Sequence, residues 1–599
     1  MEIKKRERNE IDSKYKWDLS LIYKSIEDFN NDYDIVIDKI NNYLKYKNKL
    51  KYNANTLLEA LKEKDEIVLQ LEKLSSYASR ISDEDLRNSD NLKLKNKIIS
   101  LEAKHAKNIS FLVPEILKIG SSKINEYFKE EKELEIYKQY LNDILRYKKH
   151  TLSNDKEMII ASASEILMLP YKTFTMLNST GIKFEDIIHE DKNIPLTVSN
   201  YNLYVSSQNR DIRKKAFESL YKSYETLKYT FSENLIGNIK ANYFISNNKK
   251  YNSPREMSLF NNNIDEIVYD NLIKVTHQNL DKLHKYVSMK KQVLKIDDFH
   301  MYDFYVDLIK EYDIEYSYEE AVDLVMKALE PLGEEYLNKA KKAFVERWID
   351  VYENVGKRSG AYSSFGYDIP LYILLNYNGK FNSVSTLAHE LGHSMHSYYA
   401  ASNQPYIYHD YSIFLAEIAS TVNEVLLNMY MLNKAKDKKE KMSFINNFLD
   451  SVKSTIYRQV MFAEFEKTIY ELEGNNTTLT EEVISDLYYE LNKKYYGNNI
   501  IHDEFIKYEW MRIPHFYYGF YVYQYATGLS IAYYIAKEIY NGNTNFRDKY
   551  LNMLASGSSK YPLELLKDLG IDMKNTEVIN DIFNSFDNQI DEFIKLANE

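Results

Sequence analysis

Sixteen glycines and nine prolines are all that punctuate a chain of 599 residues. A turn-rich all-β fold needs such residues at short intervals to reach positive φ and to stop strands, so this chain is committed to long helices. The apolar spacing agrees. In TLLEALKEKDEIVLQLEKLSSYA, Leu57, Leu61, Val68, Leu71 and Ala78 recur at helical intervals with charges between them. The same period runs through 27–46, 101–118 and 124–147, and breaks without a sustained heptad favour helical hairpins over a long coiled coil. Shorter segments, FEDIIHE, NIPLTVS and YNLYVS, occupy 161–205 before helical patterns resume and run to about 345. Arg210, Arg213, Lys214 and Lys215 form the densest basic group and read as a solvated helix face.

The texture changes at KRSGAYSSFGYDIPLYILLNYNGKF, where small residues lead into an aromatic and β-branched run that ends at Asn378 and Gly379. One or two short strands are expected there, the only β element in a mainly α chain. No convincing fixed-period repeat is found, so a helical-repeat solenoid is not supported. The expected division is an N-terminal helical region over 1–115, a second N-terminal stretch of helices and short segments over 116–200, and the main domain over 201–599.

The composition removes whole classes of function. There is no cysteine, so disulfides, thiolate nucleophiles and Cys-ligated metals are out, and any metal must sit on His, Asp and Glu. A net charge of −11 without a basic stripe offers nothing to nucleic acid or an anionic membrane. The start, MEIKKRERNEIDSKYKWDLS, has no apolar stretch behind its charges, and the longest apolar runs fall short of the roughly 20 residues of a membrane span. A cytoplasmic protein without an obligate protein partner is expected.

Against this background one motif stands out: His389-Glu390-Leu391-Gly392-His393. On a helix, residues four apart share a face, so the two imidazoles can reach one zinc ion, and Glu390 is placed to accept a proton from a water bound there. Asn382 and Ser383 offer a helix cap. A catalytic zinc takes a third protein ligand and keeps one position open. The next helix carries Glu417 and Glu424, seven residues apart and on one face, and either carboxylate can reach back. Glu417 lies in the apolar run SIFLAEIAS, where a buried carboxylate needs a partner such as zinc. Glu424 or Asp410 suits an acceptor for the outer N–H of a ligand imidazole.

LAHELGHSMHSYYA followed by FLAEIAST resembles the oligoendopeptidase F branch of the thimet-oligopeptidase-like zinc metallopeptidases. The likeness extends upstream through KRSGAYSSFGYDIPLYILLNYNG and downstream through RIPHFYYGFYVYQYATG and LASGSSKYPLELLKDLG, with WDLSLIY near the start. It implies a two-lobed helical bowl or clamshell around a deep channel with a zincin-like HExxH core. It implies a zinc endopeptidase holding one Zn²⁺, with short unstructured oligopeptides as substrates. It makes Glu417 the third ligand beside His389 and His393, and it draws in His396.

The segment YEWMRIPHFYYGFYVYQYATG carries donors of the kind that amide hydrolysis needs, because negative charge develops on the carbonyl oxygen. The resemblance places a histidine and tyrosines of this segment in that role: His515, Tyr518 and Tyr521 as catalytic groups, with Tyr525 and Tyr517 against the substrate. The expected strand 367–377, with Tyr372 within it, would line the cleft and bind peptide as an added strand. Two rivals share the motif. A carboxypeptidase would need a group placed for a free C-terminal carboxylate, and a helical binding scaffold would keep the motif without turnover.

Overall fold

A computed structural model describes residues 6–189, 192–309 and 314–599. The chain is mainly α-helical. Five short strands occur among the described residues: β1 (Ile187–His189), β2 (Lys192–Ile194), β3 (Ile349–Asp350), β4 (Tyr362–Gly366) and β5 (Ile369–Leu374). Two compact units form, each from three stretches of chain. The first takes Met1–Lys149, Asp313–Tyr430 and Ile535–Gly570, and the second takes His150–Tyr312, Met431–Tyr534 and Ile571–Glu599.

The first unit is organised around the helix Ala54–Glu84, started by Asn53, whose side chain accepts the Thr56 N–H at 2.8 Å. The helix buries Leu57, Leu61, Leu71 and Ala78 as the spacing predicts, while Ile67 takes the inward place and Val68 is half-buried. It packs on the helices Ile26–Asn42 and Ser89–Ile109, in a core that also contains Trp17, Tyr372 and Leu374.

The small sheet of this unit has the order β3-β5-β4, with β3 parallel and β4 antiparallel to β5. The aromatic run 367–377 therefore supplies the central strand, not a free edge. Its backbone is consumed by two neighbours, and the edges are β3 and β4. A buried cation pins the sheet from below: Lys357 Nζ donates to the carbonyls of Tyr352 at 2.7 Å and Leu375 at 2.6 Å and pairs with Asp350 at 2.7 Å. With the Asp350 carbonyl at 3.2 Å, four oxygens surround one ammonium and make its burial tolerable.

The second unit contains the helices Lys228–Asn248, Arg458–Gly474 and Glu481–Tyr496 and ends on Glu577–Asn598. That last helix buries Ile579, Ile582, Phe583, Phe586, Ile590 and Phe593, an apolar stripe at helical period. The hairpin β1–β2 pairs Ile187 with Ile194. Arg210 and Arg213 depart from the solvated face expected of them. Both pair with the fully buried Asp303, Arg213 at 2.6 Å and Arg210 at 2.9 Å, because one buried carboxylate is neutralised best by a pair of guanidinium forks. Among the described residues no helix is long and apolar enough to cross a membrane.

Candidate active site

The HExxH motif lies in the first unit on the helix Phe381–Asn403, which starts before the expected cap, with Lys380 at the cap position. Ser383 instead donates to Asn378 Oδ1 at 2.7 Å and ties the preceding turn to the first turn of the helix. One helical turn separates His389 from His393, and both present Nε2 to the same carboxylate oxygen, Glu417 Oε2, at 3.5 and 3.6 Å. Among the described residues these three are the one group of His, Asp or Glu whose ligand atoms all lie within 4.8 Å of one another. Ligands held about 2.0–2.1 Å from a tetrahedral zinc stand roughly 3.3–3.4 Å apart, so the donor set and its spacing fit such an ion.

What brings Glu417 there is the closeness of two helices. Gly392 faces the helix Ile413–Lys434, and a Cβ at this position would stand 2.6 Å from Ser420 Cα and 2.7 Å from the Ala419 carbonyl oxygen. Asn423, fully buried, locks the crossing by donating to the Ala388 carbonyl at 3.1 Å while accepting from Tyr336 at 3.2 Å. Glu417 itself is not buried in its apolar run. Its side chain is 48% exposed, since the apolar neighbours Phe414, Leu415 and Ile418 occupy the inner face and leave the carboxylate on the outer one.

Glu424 takes the outer position on His389: its Oε2 lies 3.3 Å from Nδ1, and its Oε1 accepts from Ser385 at 3.0 Å. Burial disfavours charge on His389, but the bond to Glu424 and the charges of Glu424, Glu390 and Glu417 together outweigh it and the net shift is upward. Burial and the charge of His389 hold His393 down at about 4. Glu390 is 7% exposed, and burial pushes its carboxyl up to about 7 against the opposing pull of His389 and of the Ser363 backbone N–H from β4. A cation held beside it would counter that rise.

Three expectations on this unit are corrected. Asp410 is exposed and accepts the N–H of Tyr411 at 2.8 Å, so the imidazole acceptor is Glu424 and not Asp410. His396 is 1% exposed, stacked on Tyr411 with ring centres 3.5 Å apart, and held neutral at about 3 by burial and by His393. It packs behind the motif, away from solvent. Tyr372 is fully buried against Trp17 and donates to the Asp18 carbonyl at 2.8 Å, because alternation along the central strand turns it into the core. Sequence reasoning missed Tyr411, whose hydroxyl lies 2.8 Å from Ser397 Oγ and donates to the His393 carbonyl at 3.4 Å. It also missed the edge-strand donor Ser363.

In the second unit the tyrosine-rich segment gathers around His515. Its Nε2 lies 3.2 Å from Tyr525 Oη, and its ring lies 5.5 Å from that of Tyr518 and 6.3 Å from that of Tyr521. Burial, aided by Arg458, lowers the pKa of His515. Tyr518 is 47% exposed and shares a hydroxyl contact of 3.4 Å with Tyr171, which no sequence signal had pointed to. Tyr517 is not a free hydroxyl here. It packs on Phe174 and accepts from Asn234 at 3.1 Å.

The peptidase family M3 model matches residues 203–585, which takes in both groups of residues. The chain belongs to peptidase family M3. The description Oligopeptidase F attaches to a second match, over 115–184. This M3 chain is 42% identical to oligopeptidase PepF of Bacillus subtilis over 98% of its own length and 88% of the relative's. It superposes on a solved structure from Chlamydophila abortus with a TM-score of 0.93, at 38% identity and covering 99% and 100% of the two chains. For the oligoendopeptidase-F of Enterococcus faecium the TM-score is 0.73, at 34% identity and 96% and 99% coverage. As a member of M3 the chain is a metallopeptidase that acts on oligopeptides.

The turn that carries the M3 tyrosines is held from inside. Gly519 and Phe520 both adopt positive φ, 67° and 54°, and the N–H of Phe520 donates to the fully buried Glu466 at 2.8 Å. Ser258 donates to the Gly519 carbonyl at 2.8 Å. Burial pushes Glu466 up to about 8 against the pull of the Phe520 N–H. With the folded value raised, the native state keeps a proton that the unfolded chain has released. Stability then falls as pH rises from about 4.5 to about 8 and levels off above. Glu466→Gln should remove this slope, gaining stability over the natural chain at pH 8.5 but little at pH 5. Denaturant midpoints of both proteins at both pH values check it, and an equal difference at the two would count against a neutral Glu466.

Proposed function

We propose that this chain is a zinc-dependent endopeptidase that cuts internal bonds of short, unstructured oligopeptides, with His389, His393 and Glu417 holding one Zn²⁺ and Glu390 as the general base. The observation that carries the reading is the convergence of two imidazole nitrogens on one carboxylate oxygen, beside a buried glutamate, in a member of family M3. Zinc so held acts as a Lewis acid toward a peptide carbonyl and acidifies bound water.

Glu390 takes a proton from the attacking water and returns it to the departing amine, so that the amine leaves neutral. The Ser363 N–H steadies the carboxylate while it does so. Glu424, itself held by Ser385, fixes the tautomer of His389 so that Nε2 keeps its lone pair for the metal. The edge strand β4 offers its open backbone to an extended peptide, the role first expected of 367–377. His515, Tyr518 and Tyr521, with Tyr525, act as hydrogen-bond donors toward the developing oxyanion. A main-chain grip reads shape more than side-chain identity, which suits a peptidase of broad range. The proposed setting is cytoplasmic.

The test is mass spectrometry of products from a peptide ladder, each member blocked and unblocked at its ends, with chelator and with Zn²⁺ restored. Internal cuts confined to the shorter members, equal for blocked and unblocked forms and dependent on zinc, are expected. Trimming confined to free C-termini would replace the reading with a carboxypeptidase, and a zinc-loaded protein that cuts nothing would leave a binding scaffold.

A further inference from the structure

Asn234, Asn238 and Asn242 follow one another at intervals of four on the helix Lys228–Asn248 of the second unit, and so share a face. Asparagine is a poor residue for a helix interior, because its amide competes for nearby backbone groups. Here each amide is sent to another segment instead. Asn234 Nδ2 donates to the Pro170 carbonyl at 2.7 Å and to Tyr517 Oη at 3.1 Å. Asn238, 6% exposed, donates to the Phe516 carbonyl at 3.3 Å. Asn242 donates to the hydroxyl of the buried Tyr470 at 2.6 Å, and the ring of Tyr470 lies 4.8 Å from that of Phe520. A carbonyl can only accept, so Pro170 and Phe516 fix which end of the first two amides is the nitrogen.

We infer that Asn234, Asn238 and Asn242 are positioning residues of the peptidase: they grip Phe516 and Tyr517 and prop Phe520, so that His515 and Tyr518, on either side of the gripped pair, are held ready as donors. The inference rests on the donor role proposed above for His515 and Tyr518. The segment needs such a grip because no long element carries it. Pro514–Tyr517 is a single short 3₁₀ turn, and Phe520 is a non-glycine residue at a φ of 54°. Backbone of that kind relaxes unless its surroundings over-determine it. The asparagines hold 516 and 517, while Glu466 and Ser258 hold 520 and 519. Donors fixed in this way stabilise developing charge without having to reorganise when it appears.

The test is a double-mutant cycle on the full chain, read as kcat and KM for a fluorogenic oligopeptide. Asn234→Asp keeps the shape of the side chain but sets an acceptor against the Pro170 carbonyl and the Tyr517 oxygen. In the natural chain it should lower kcat by about 10- to 100-fold with little change in KM, because aim matters only where charge develops, in the transition state. In a second background, His515→Ala with Tyr518→Phe, the same change should cost no more than about twofold, since the groups it aims are gone. An equal loss in both backgrounds would mean a merely structural role and would overturn the inference. So would an unchanged kcat in a folded Asn234→Asp protein. Asn238→Ser, which gives up only the bond to the Phe516 carbonyl, goes through the same cycle, and thermal unfolding verifies that each variant is folded. The donor reading fails separately: if His515→Ala with Tyr518→Phe itself keeps the natural kcat, that reading falls and the inference with it. If that pair loses kcat while the asparagine variants do not, the inference alone falls.

Discussion

Glu390→Gln should lower kcat by about 10²–10⁴-fold, with zinc content and peptide affinity retained. The substitution preserves the shape of the side chain and an oxygen for the Ser363 N–H, so the edge strand and the ligand helix keep their positions. What it removes is the ability to take a proton. The ligands are untouched, since His389 and His393 address Glu417 and Glu424 through their own nitrogens. Single-turnover kinetics with metal analysis on the same sample makes the measurement. Retained turnover in a zinc-loaded variant would move the base elsewhere, and lost zinc would show that Glu390 holds the site together instead.

The second large effect is expected from a single added methyl group. In Gly392→Ala the new Cβ would meet Ser420 Cα at 2.6 Å and the Ala419 carbonyl at 2.7 Å, both backbone atoms that cannot rotate out of the way. The helix Ile413–Lys434 must move off, at a stability loss of about 1–3 kcal/mol. Glu417 lies one helical turn before Ser420 and moves with it, and zinc affinity should fall by about tenfold or more. Thermal unfolding with and without Zn²⁺ reads both, because a weakened site gains less from the same concentration of metal. A variant with the natural zinc-induced rise in Tm would show that the helix crossing does not set the third ligand.

These predictions divide along the line between what neighbours in sequence decide and what distant segments decide. The helical character was legible throughout, because scarce Gly and Pro and a period near 3.6 act through local backbone geometry. The HExxH pair was legible for the same reason, four residues being one turn of any helix. Whether Glu417 or Glu424 completes the metal group was left open by spacing alone, since both lie on one face. The resemblance to a known family chose Glu417, and the close crossing at Gly392 supplies the physical cause.

The errors share one origin. Tyr372 was read from its strand, His396 from the family resemblance and Asp410 by residue type, and their surroundings differ: Tyr372 turns into the core of the first unit, His396 lies under Tyr411, and Asp410 caps its own neighbour. Arg213, read as solvated, is buried on Asp303 from ninety residues away. The central rank of β5 depends on β3 and β4 arriving on either side, which no pattern inside 367–377 contains.

The sequence by itself thus determined the helical class, the exclusion of thiol chemistry and the two imidazoles of the metal group, all properties set within a few residues along the chain. Tertiary structure alone decided which strand lies at the centre of the sheet, how the helix crossing at Gly392 brings Glu417 to both imidazoles, and which polar side chains meet solvent. Those depend on which distant segment fills the space beside a residue, and burial and hydrogen bonding are then imposed by that neighbour and not by the residue itself.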